Sequence, residues 1–274
     1  MEEVFAPKKS LGQHWLNDAQ TLADIVKAAE LSSKDTVLEV GPGTGTLTAN
    51  LLMQAGRVIA VEKDKELAKQ LKTRLSYPGF TVQAGDILKF DLTKLPKNYK
   101  VVANIPYYLT GHLLKILAET ANPPAMIVLL VQKEVARRIA ARPGSLSVLA
   151  ISIQLRYEPK LGRVVPAELF SPPPKVDSQV IILRRRPRPQ FAGLEQKIFF
   201  RVVKAGFSAR RKKLRGSLAG GLGINRAAAD DLLDSAEING ELRAQALSLE
   251  QWHQLYMQYR AKSDLETLLR KTAV

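Results

Sequence analysis

Short runs of β-branched and aliphatic residues alternate with helical patterns through the first two thirds of the chain, and this alternation restricts the fold more than any other feature. The runs are TVLEV (36–40), RVIAV (57–61), FTVQA (80–84), KVVAN (100–104), AMIVLLV (125–131), LAISIQL (149–155) and QVIILRR (179–185). Between them stand segments such as KELAKQLKTRL (65–75), where Leu67, Leu71 and Leu75 recur at the spacing of one buried helical face. Strand and helix in alternation predict an α/β fold with a mostly parallel, doubly wound sheet. Only the proline-rich stretch EPKLGRVVPAELFSPPPKVD separates the last two runs. It is a poor crossover helix, so those two are expected to form an antiparallel pair at the sheet edge.

The pattern changes after Arg186. RPRPQ reads as a linker, and from Leu194 only helical segments recur, such as LEQKIFFRVVKAGF and LSLEQWHQLYMQYR. Two domains are expected, a sheet domain over 1–186 and a small all-helical one over 187–274. The chain carries a formal net charge of +15, and 12 basic residues face a single acid, Glu195, between Arg184 and Arg215. An excess so concentrated predicts a polyanionic partner, nucleic acid before a solvated helix face. The longest apolar run, AMIVLLV, falls far short of the roughly 20 residues of a membrane span. The start, MEEVFAPKKS, has neither the apolar centre of a secretory signal nor the Arg-rich, acid-free character of an organelle presequence. Zero cysteines fit a reducing cytoplasm, and with only three histidines no metal site is expected.

In VLEVGPGTGTLT (37–48) a strand ends in Gly41, Gly43 and Gly45 before a helix begins. Such a turn lets the backbone approach a ligand at the carboxyl edge of the sheet. A dinucleotide fingerprint would need its third glycine where Thr46 stands, and Glu39 places a carboxylate just before the turn. Beside a pyrophosphate that charge is unfavourable; beside a cation it is favourable. The expected cofactor is therefore S-adenosylmethionine, a sulfonium without phosphate. Glu62 closes the second strand, placed to accept both ribose hydroxyls, and Asp86 follows the third, placed to accept from the adenine amine. Ile87, beside Asp86, is counted with these cofactor contacts.

NIPYYLT (104–110) follows the fourth strand. An adenine amine is a poor nucleophile because its lone pair is delocalised into the ring, and two hydrogen-bond acceptors can hold it pyramidal. The Asn104 side-chain oxygen is one. The Ile105 carbonyl is the other, because Pro106 keeps Ile105 out of the helical region. Tyr107 offers a stacking face for a base taken out of its helix. In ELFSPPPKVDS (168–178) the proline run can hold Phe170 as a second stacking ring and Lys175 for a phosphate. A plain strand-ending turn with a core tyrosine, and a loop that only packs on the sheet, are the alternatives.

With these stretches assembled, the chain resembles the KsgA/RsmA family of ribosomal RNA adenine dimethyltransferases over nearly its whole length. KKSLGQHWLND (8–18) is similar to the family's amino-terminal cofactor motif, LEVGPGTGTLT to its glycine motif, NIPYYLT to its catalytic motif, FSPPPKVDS to its target-base loop and FSARRKKLRGSL to its basic motif. The resemblance implies a Rossmann-like methyltransferase sheet with a helical carboxy-terminal domain. It also implies dimethylation, from S-adenosylmethionine, of two adjacent adenosines in the 3′-terminal hairpin loop of 16S rRNA, on a pre-30S particle in the cytoplasm, by a monomer. Carried over by position, Gln13, His14 and Leu16 line the cofactor pocket with Gly41, Glu62, Asp86 and Asn104. His14 and Trp15 stand where asparagine and phenylalanine are usual. The helix expected from Ser208 presents Arg210, Arg211, Lys212, Lys213 and Arg215 to an RNA backbone. Two rival readings remain. Resistance dimethylases of large-subunit rRNA share NIPY, and non-catalytic RNA-binding factors share the scaffold.

Overall fold

The computed structural model describes residues 7, 8 and 11–272, with side chains as far as Lys262. Residues 1–6 of the amino-terminal stretch, and Lys9 and Ser10 within KKSLGQHWLND, lie outside the described residues. The chain divides into two compact units, Met1–Ala140 with Arg156–Pro187, and Ala141–Leu155 with Arg188–Val274.

In the first unit, β1 (Trp15–Leu16) leads into α1 (Ala19–Ala28), whose start is fixed by Asp18 accepting from the Thr21 N–H at 2.8 Å. There follow β2 (Thr36–Val40), α2 (Thr46–Leu52), β3 (Arg57–Glu62), α3 (Lys65–Arg74), β4 (Phe80–Ala84), β5 (Lys100–Asn104), α4 (Thr110–Glu119), β6 (Met126–Gln132) and α5 (Lys133–Ile139). Val37, Leu38, Val101, Val102, Ile127 and Val128 are fully buried, because helices cover both faces of a parallel sheet and leave no polar side to alternate with.

The next element corrects the sequence reading. LAISIQL is not a strand: Val148–Gln154 is helix α6, and it belongs to the second unit. Its alternating Leu and Ile fit a strand, but the Ser147 hydroxyl accepts from the Ala150 N–H at 3.2 Å and caps a short helix. The strand lies instead in the proline-rich stretch, as β7 (Tyr157–Val165), followed by β8 (Phe170–Ser171) and β9 (Ser178–Arg185). The main sheet runs β4-β3-β2-β5-β6-β9-β7. Its β2, β3, β4, β5 and β6 are parallel, and β9 and β7 add antiparallel to one edge. The antiparallel edge pair therefore exists, with β7 in the place expected for 149–155. Pro159 is accommodated because β7 is the outermost strand.

The second unit holds α6, α7 (Gln196–Gly206), α8 (Leu214–Leu222), α9 (Arg226–Ser235) and α10 (Leu249–Thr272) around a core of Phe199, Leu214, Leu218, Leu233, Trp252 and Tyr256. FSARRKKLRGSL reads as a helix from Ser208, yet α7 closes at Gly206 and α8 begins only at Leu214. The intervening turn is tied to α8 by its hydroxyls. Ser208 Oγ donates to the Ser217 carbonyl at 3.1 Å, and Ser217 Oγ to the Ala209 carbonyl at 3.1 Å. Among the described residues no helix is long and apolar enough to cross a membrane.

Candidate active site

Strand order reverses beside β2: β3 and β4 extend to one side of it, β5 and β6 to the other. Loops at the carboxyl ends of β2 and β5 therefore diverge and leave a crevice, the place where open α/β sheets receive ligands. A cleft opens there. It is lined by Gln13, His14, Leu16, Glu39, Gly41, Gly43, Glu62, Asp86, Ile87, Asn104, Ile105, Pro106, Tyr107 and Phe170, which the sequence scatters over more than half the chain. Gly45 is not on its wall. It has φ +82°, and a Cβ there would meet Leu71 Cδ2 at 2.6 Å, so it turns the chain into α2 against α3. Gly41, at φ +64°, has nothing within 4 Å of a Cβ position and leaves its side of the turn open.

The three acids differ in state. Glu39 is 1% exposed, and burial pushes its carboxyl up to about 8, against the opposing effect of the Thr48 hydroxyl. Its Oε2 has no partner among the described residues. Glu62 is 4% exposed, and burial raises it too, but both oxygens are held: Oε2 accepts from the Gly43 N–H at 3.0 Å and Oε1 from the Asp64 N–H at 2.9 Å. It therefore braces the glycine turn, and each oxygen retains a further lone pair for a ligand. Asp86 accepts from the Leu88 N–H at 3.0 Å and lies 3.6 Å from Lys63.

Asn104 ends β5 with its amide nitrogen donated to the His14 carbonyl at 3.2 Å. The amide oxygen Oδ1 has no partner among the described residues and is left as an acceptor on the cleft. The His14 ring stacks on Tyr107 with centroids 5.8 Å apart at 22°, and its Nδ1 lies 2.7 Å from the Pro172 carbonyl. The residue that departs from the usual asparagine thus joins the amino-terminal segment to both the NIPY turn and the proline loop. Tyr107 is half-buried, and its hydroxyl sits 2.8 Å from Ser178 Oγ. Burial raises its pKa. Ser178, inside the quoted loop motif, was not singled out from sequence, although it anchors this ring.

Phe170 differs from expectation. It pairs with Leu16 across the β1–β8 ribbon and is only 4% exposed, packed in the core. No open sandwich with Tyr107 is formed, because the apolar surface of both β1 and β8 is better buried. Tyr108, 55% exposed on the cleft wall, is the aromatic that sequence reasoning passed over. Lys175 is exposed and does not line the cleft.

The basic cluster is divided. Arg210, Arg211 and Lys212 are exposed and make no ion pair among the described residues. Lys213 and Arg215 both pair with Glu241, Arg215 at 2.6 Å and also 3.5 Å from Asp230. Those two hold α8 to the turn after α9 within the second unit.

The residues present fit the expected cofactor. The cleft offers an acid on each of three adjacent strand ends, an open glycine turn, and two buried polar atoms, Trp15 Nε1 and Glu39 Oε2, that lack partners among the described residues.

Comparison with known proteins agrees in extent. The family model described as ribosomal RNA adenine dimethylase matches residues 4–260. A protein of Dehalococcoides mccartyi named ribosomal RNA small subunit methyltransferase A is 42% identical over 256 residues, covering 92% of this chain and 88% of that one. Its counterpart of the same name in Trichormus variabilis is 42% identical over 264 residues, covering 91% and 96%. Among solved structures, a dimethyladenosine transferase from Plasmodium falciparum superposes with TM-score 0.80 at 27% identity, covering 91% of this chain and 98% of that one. The 23S rRNA methyltransferase ErmE superposes with TM-score 0.72 at 31% identity, covering 89% and 98%. Matched by the model over all but its ends, the chain belongs to the ribosomal RNA adenine dimethylase family.

Proposed function

We propose that the protein dimethylates the exocyclic amines of two adjacent adenosines in the 3′-terminal hairpin loop of 16S rRNA, using S-adenosylmethionine. The observation that carries this reading is the Asn104 amide, whose nitrogen is committed to His14 and whose oxygen remains as an acceptor at the end of β5. S-adenosylmethionine supplies an electrophilic methyl group on a cationic sulfur. Glu62, with its spare lone pairs, accepts from the ribose hydroxyls, Asp86 accepts from the adenine amine, and Gly41, Gly43 and Ile87 allow close backbone and apolar contact.

Asn104 Oδ1 and the Ile105 carbonyl accept the two N–H bonds of the target amine, which turns its lone pair out of conjugation and aims it. Tyr107, held by Ser178 at its hydroxyl and by His14 on its ring, gives the extruded base a fixed aromatic face. No strong general base is needed, since the methylated amine is acidic enough to release its proton to water. The monomethylated amine keeps a single N–H, so one of the two acceptors holds it for the second methyl.

The substrate is a pre-30S particle, and the small-subunit assignment rests on relatives of that name at 42% identity over nine tenths of the chain. ErmE, named for 23S rRNA, also superposes on the chain, so large-subunit RNA is the second reading. Arg210, Arg211 and Lys212 bind the RNA backbone, and Lys175 meets a phosphate. In this reading the protein acts as a monomer, in the cytoplasm where ribosomal subunits are assembled.

Asn104→Ala tests the mechanism. It should leave S-adenosylmethionine affinity within a few-fold and lower methyl transfer by about 10²-fold or more, the signature of a contact used mainly in the transition state. Unchanged turnover would remove Asn104 from the chemistry.

A further inference from the structure

The Tyr107 phenol reaches well beyond its own strand. Tyr107 follows β5, and its hydroxyl sits 2.8 Å from Ser178 Oγ on β9, with β6 lying between those two strands. The ring is therefore a strut across the carboxyl end of β6, and its hydroxyl end is only as fixed as Ser178. Ser178 is fully buried, but it is the first residue of β9 and ends both of that strand's ladders, opposite Gln132 of β6 and Val165 of β7. The end of a ladder is where pairing opens most readily.

One residue past that rung the chain is tied a second time. Lys133, which starts α5, donates its backbone N–H to the Asp177 carbonyl at 3.0 Å and its ammonium to the Asp177 carboxylate at 3.2 Å. Together the two bonds carry the β6–β9 pairing one residue beyond Ser178. Neither side chain lines the cleft, so neither touches a ligand there. The side chains are 34% and 42% exposed, and an ion pair so open to water adds little to stability. What it can add at this point is direction. Burial is the main cause of the raised Tyr107 pKa, the Ser178 contact opposes it, and the Asp177 charge adds to it, which puts that carboxylate within electrostatic reach of the phenol.

We propose that Lys133 and Asp177 are positioning residues for methyl transfer: their contact holds Ser178 at the ladder end, Ser178 holds the Tyr107 hydroxyl, and the aromatic face offered to the target adenine is thereby set. This rests on the placement of the target base against Tyr107 in the preceding subsection. A tie that only keeps the loop folded would act on stability and not on the reacting geometry.

The test uses the full chain with Lys133→Met and Asp177→Asn, singly, and the exchanged pair Lys133→Asp with Asp177→Lys. Each single variant should lower kcat for methyl transfer by about ten-fold, as when reacting groups are held less closely, with S-adenosylmethionine affinity and the urea midpoint unaltered. The exchanged pair, which keeps one long cation and one short anion in contact, should recover most of the loss. In a Tyr107→Phe background, which lacks the hydroxyl, Lys133→Met should cost little more, because contacts acting in series are not additive. An equal loss in that background, an unchanged kcat in both single variants, or a loss matched by a fall in the urea midpoint overturns the proposal. Tyr107→Ala, measured alongside, separates the two levels: if it transfers methyl as well as the unaltered chain, the placement of the base itself fails. Tyrosine ring signals of the ligand-free chain, labelled at Cζ, give a reading that needs no turnover. The signal that Tyr107→Phe removes should move in Lys133→Met, and an unmoved signal contradicts the clamp even where the unaltered chain methylates neither rRNA.

Discussion

Replacing Glu39 with glutamine should make the protein's stability far less dependent on pH, and the structure sets the size of the effect. Glu39 is 1% exposed, and burial raises its carboxyl from an ordinary 4.5 to about 8. Between those two values the folded chain keeps a proton that the unfolded chain releases. The stability contributed by this site is therefore fully present below pH 4.5 and falls as pH rises, until the folded carboxyl also ionises near 8. Each pH unit in that window removes about 1.4 kcal/mol, and the whole fall approaches about 5 kcal/mol. The Glu39→Gln side chain keeps the shape and has no proton to lose. Urea unfolding of the ligand-free protein, followed from pH 5 to pH 8, should show the unaltered chain losing about 3 kcal/mol more than the variant. Glu62, also raised by burial, slopes in the same direction in both proteins and cancels to first order. Parallel curves for the two proteins would refute the neutral, buried state assigned to Glu39. S-adenosylmethionine, as a cation beside this group, should restore its charge. Cofactor binding near pH 7 should then release up to one proton, visible as a dependence of the binding heat on buffer ionisation enthalpy that Glu39→Gln abolishes.

Phe170→Ala should destabilise the protein by about 3 kcal/mol in denaturant unfolding, because the ring is packed in the core. A change below about 0.5 kcal/mol would show the ring to be free for stacking instead. Neutralising Arg210, Arg211 and Lys212 together should weaken RNA binding and reduce the slope of log affinity against log salt by about 2 to 3. Substituting Lys213 or Arg215 should instead lower the melting temperature, since both are paired with Glu241. An unchanged salt slope in the first variant would place the RNA elsewhere.

The parallel core of the fold was legible because buried strands leave unbroken apolar runs, and the strands at 36–40, 80–84 and 100–104 stand where the sequence puts them. Two segments were not legible. In 149–155 the alternating Leu and Ile carry the period of a strand, and only the Ser147 cap reveals the helix. In β7, Pro159 and Gly162 disguise a strand that tolerates them at the sheet edge, with an irregular register between Leu161 and Val164. The strand-end acids and the NIPY turn could be found because each sits beside its own strand. The links that assemble them could not. Trp15 meets Ser171, His14 reaches Pro172, and Tyr107 reaches Ser178, all across long stretches of chain that no local pattern connects. Long-range pairing also hides the fact that Lys213 and Arg215 are occupied by Glu241, which a count of charges treats as available.

The most direct measurement is transfer of labelled methyl from S-adenosylmethionine to undermethylated small ribosomal subunits and, in parallel, to protein-free large-subunit rRNA, with the labelled nucleotide identified after digestion. Dimethyladenosine confined to the small-subunit sample, in two adjacent nucleotides of the 3′-terminal hairpin, is the predicted result. Label confined to large-subunit RNA, or no transfer from a protein that binds the cofactor, would contradict it.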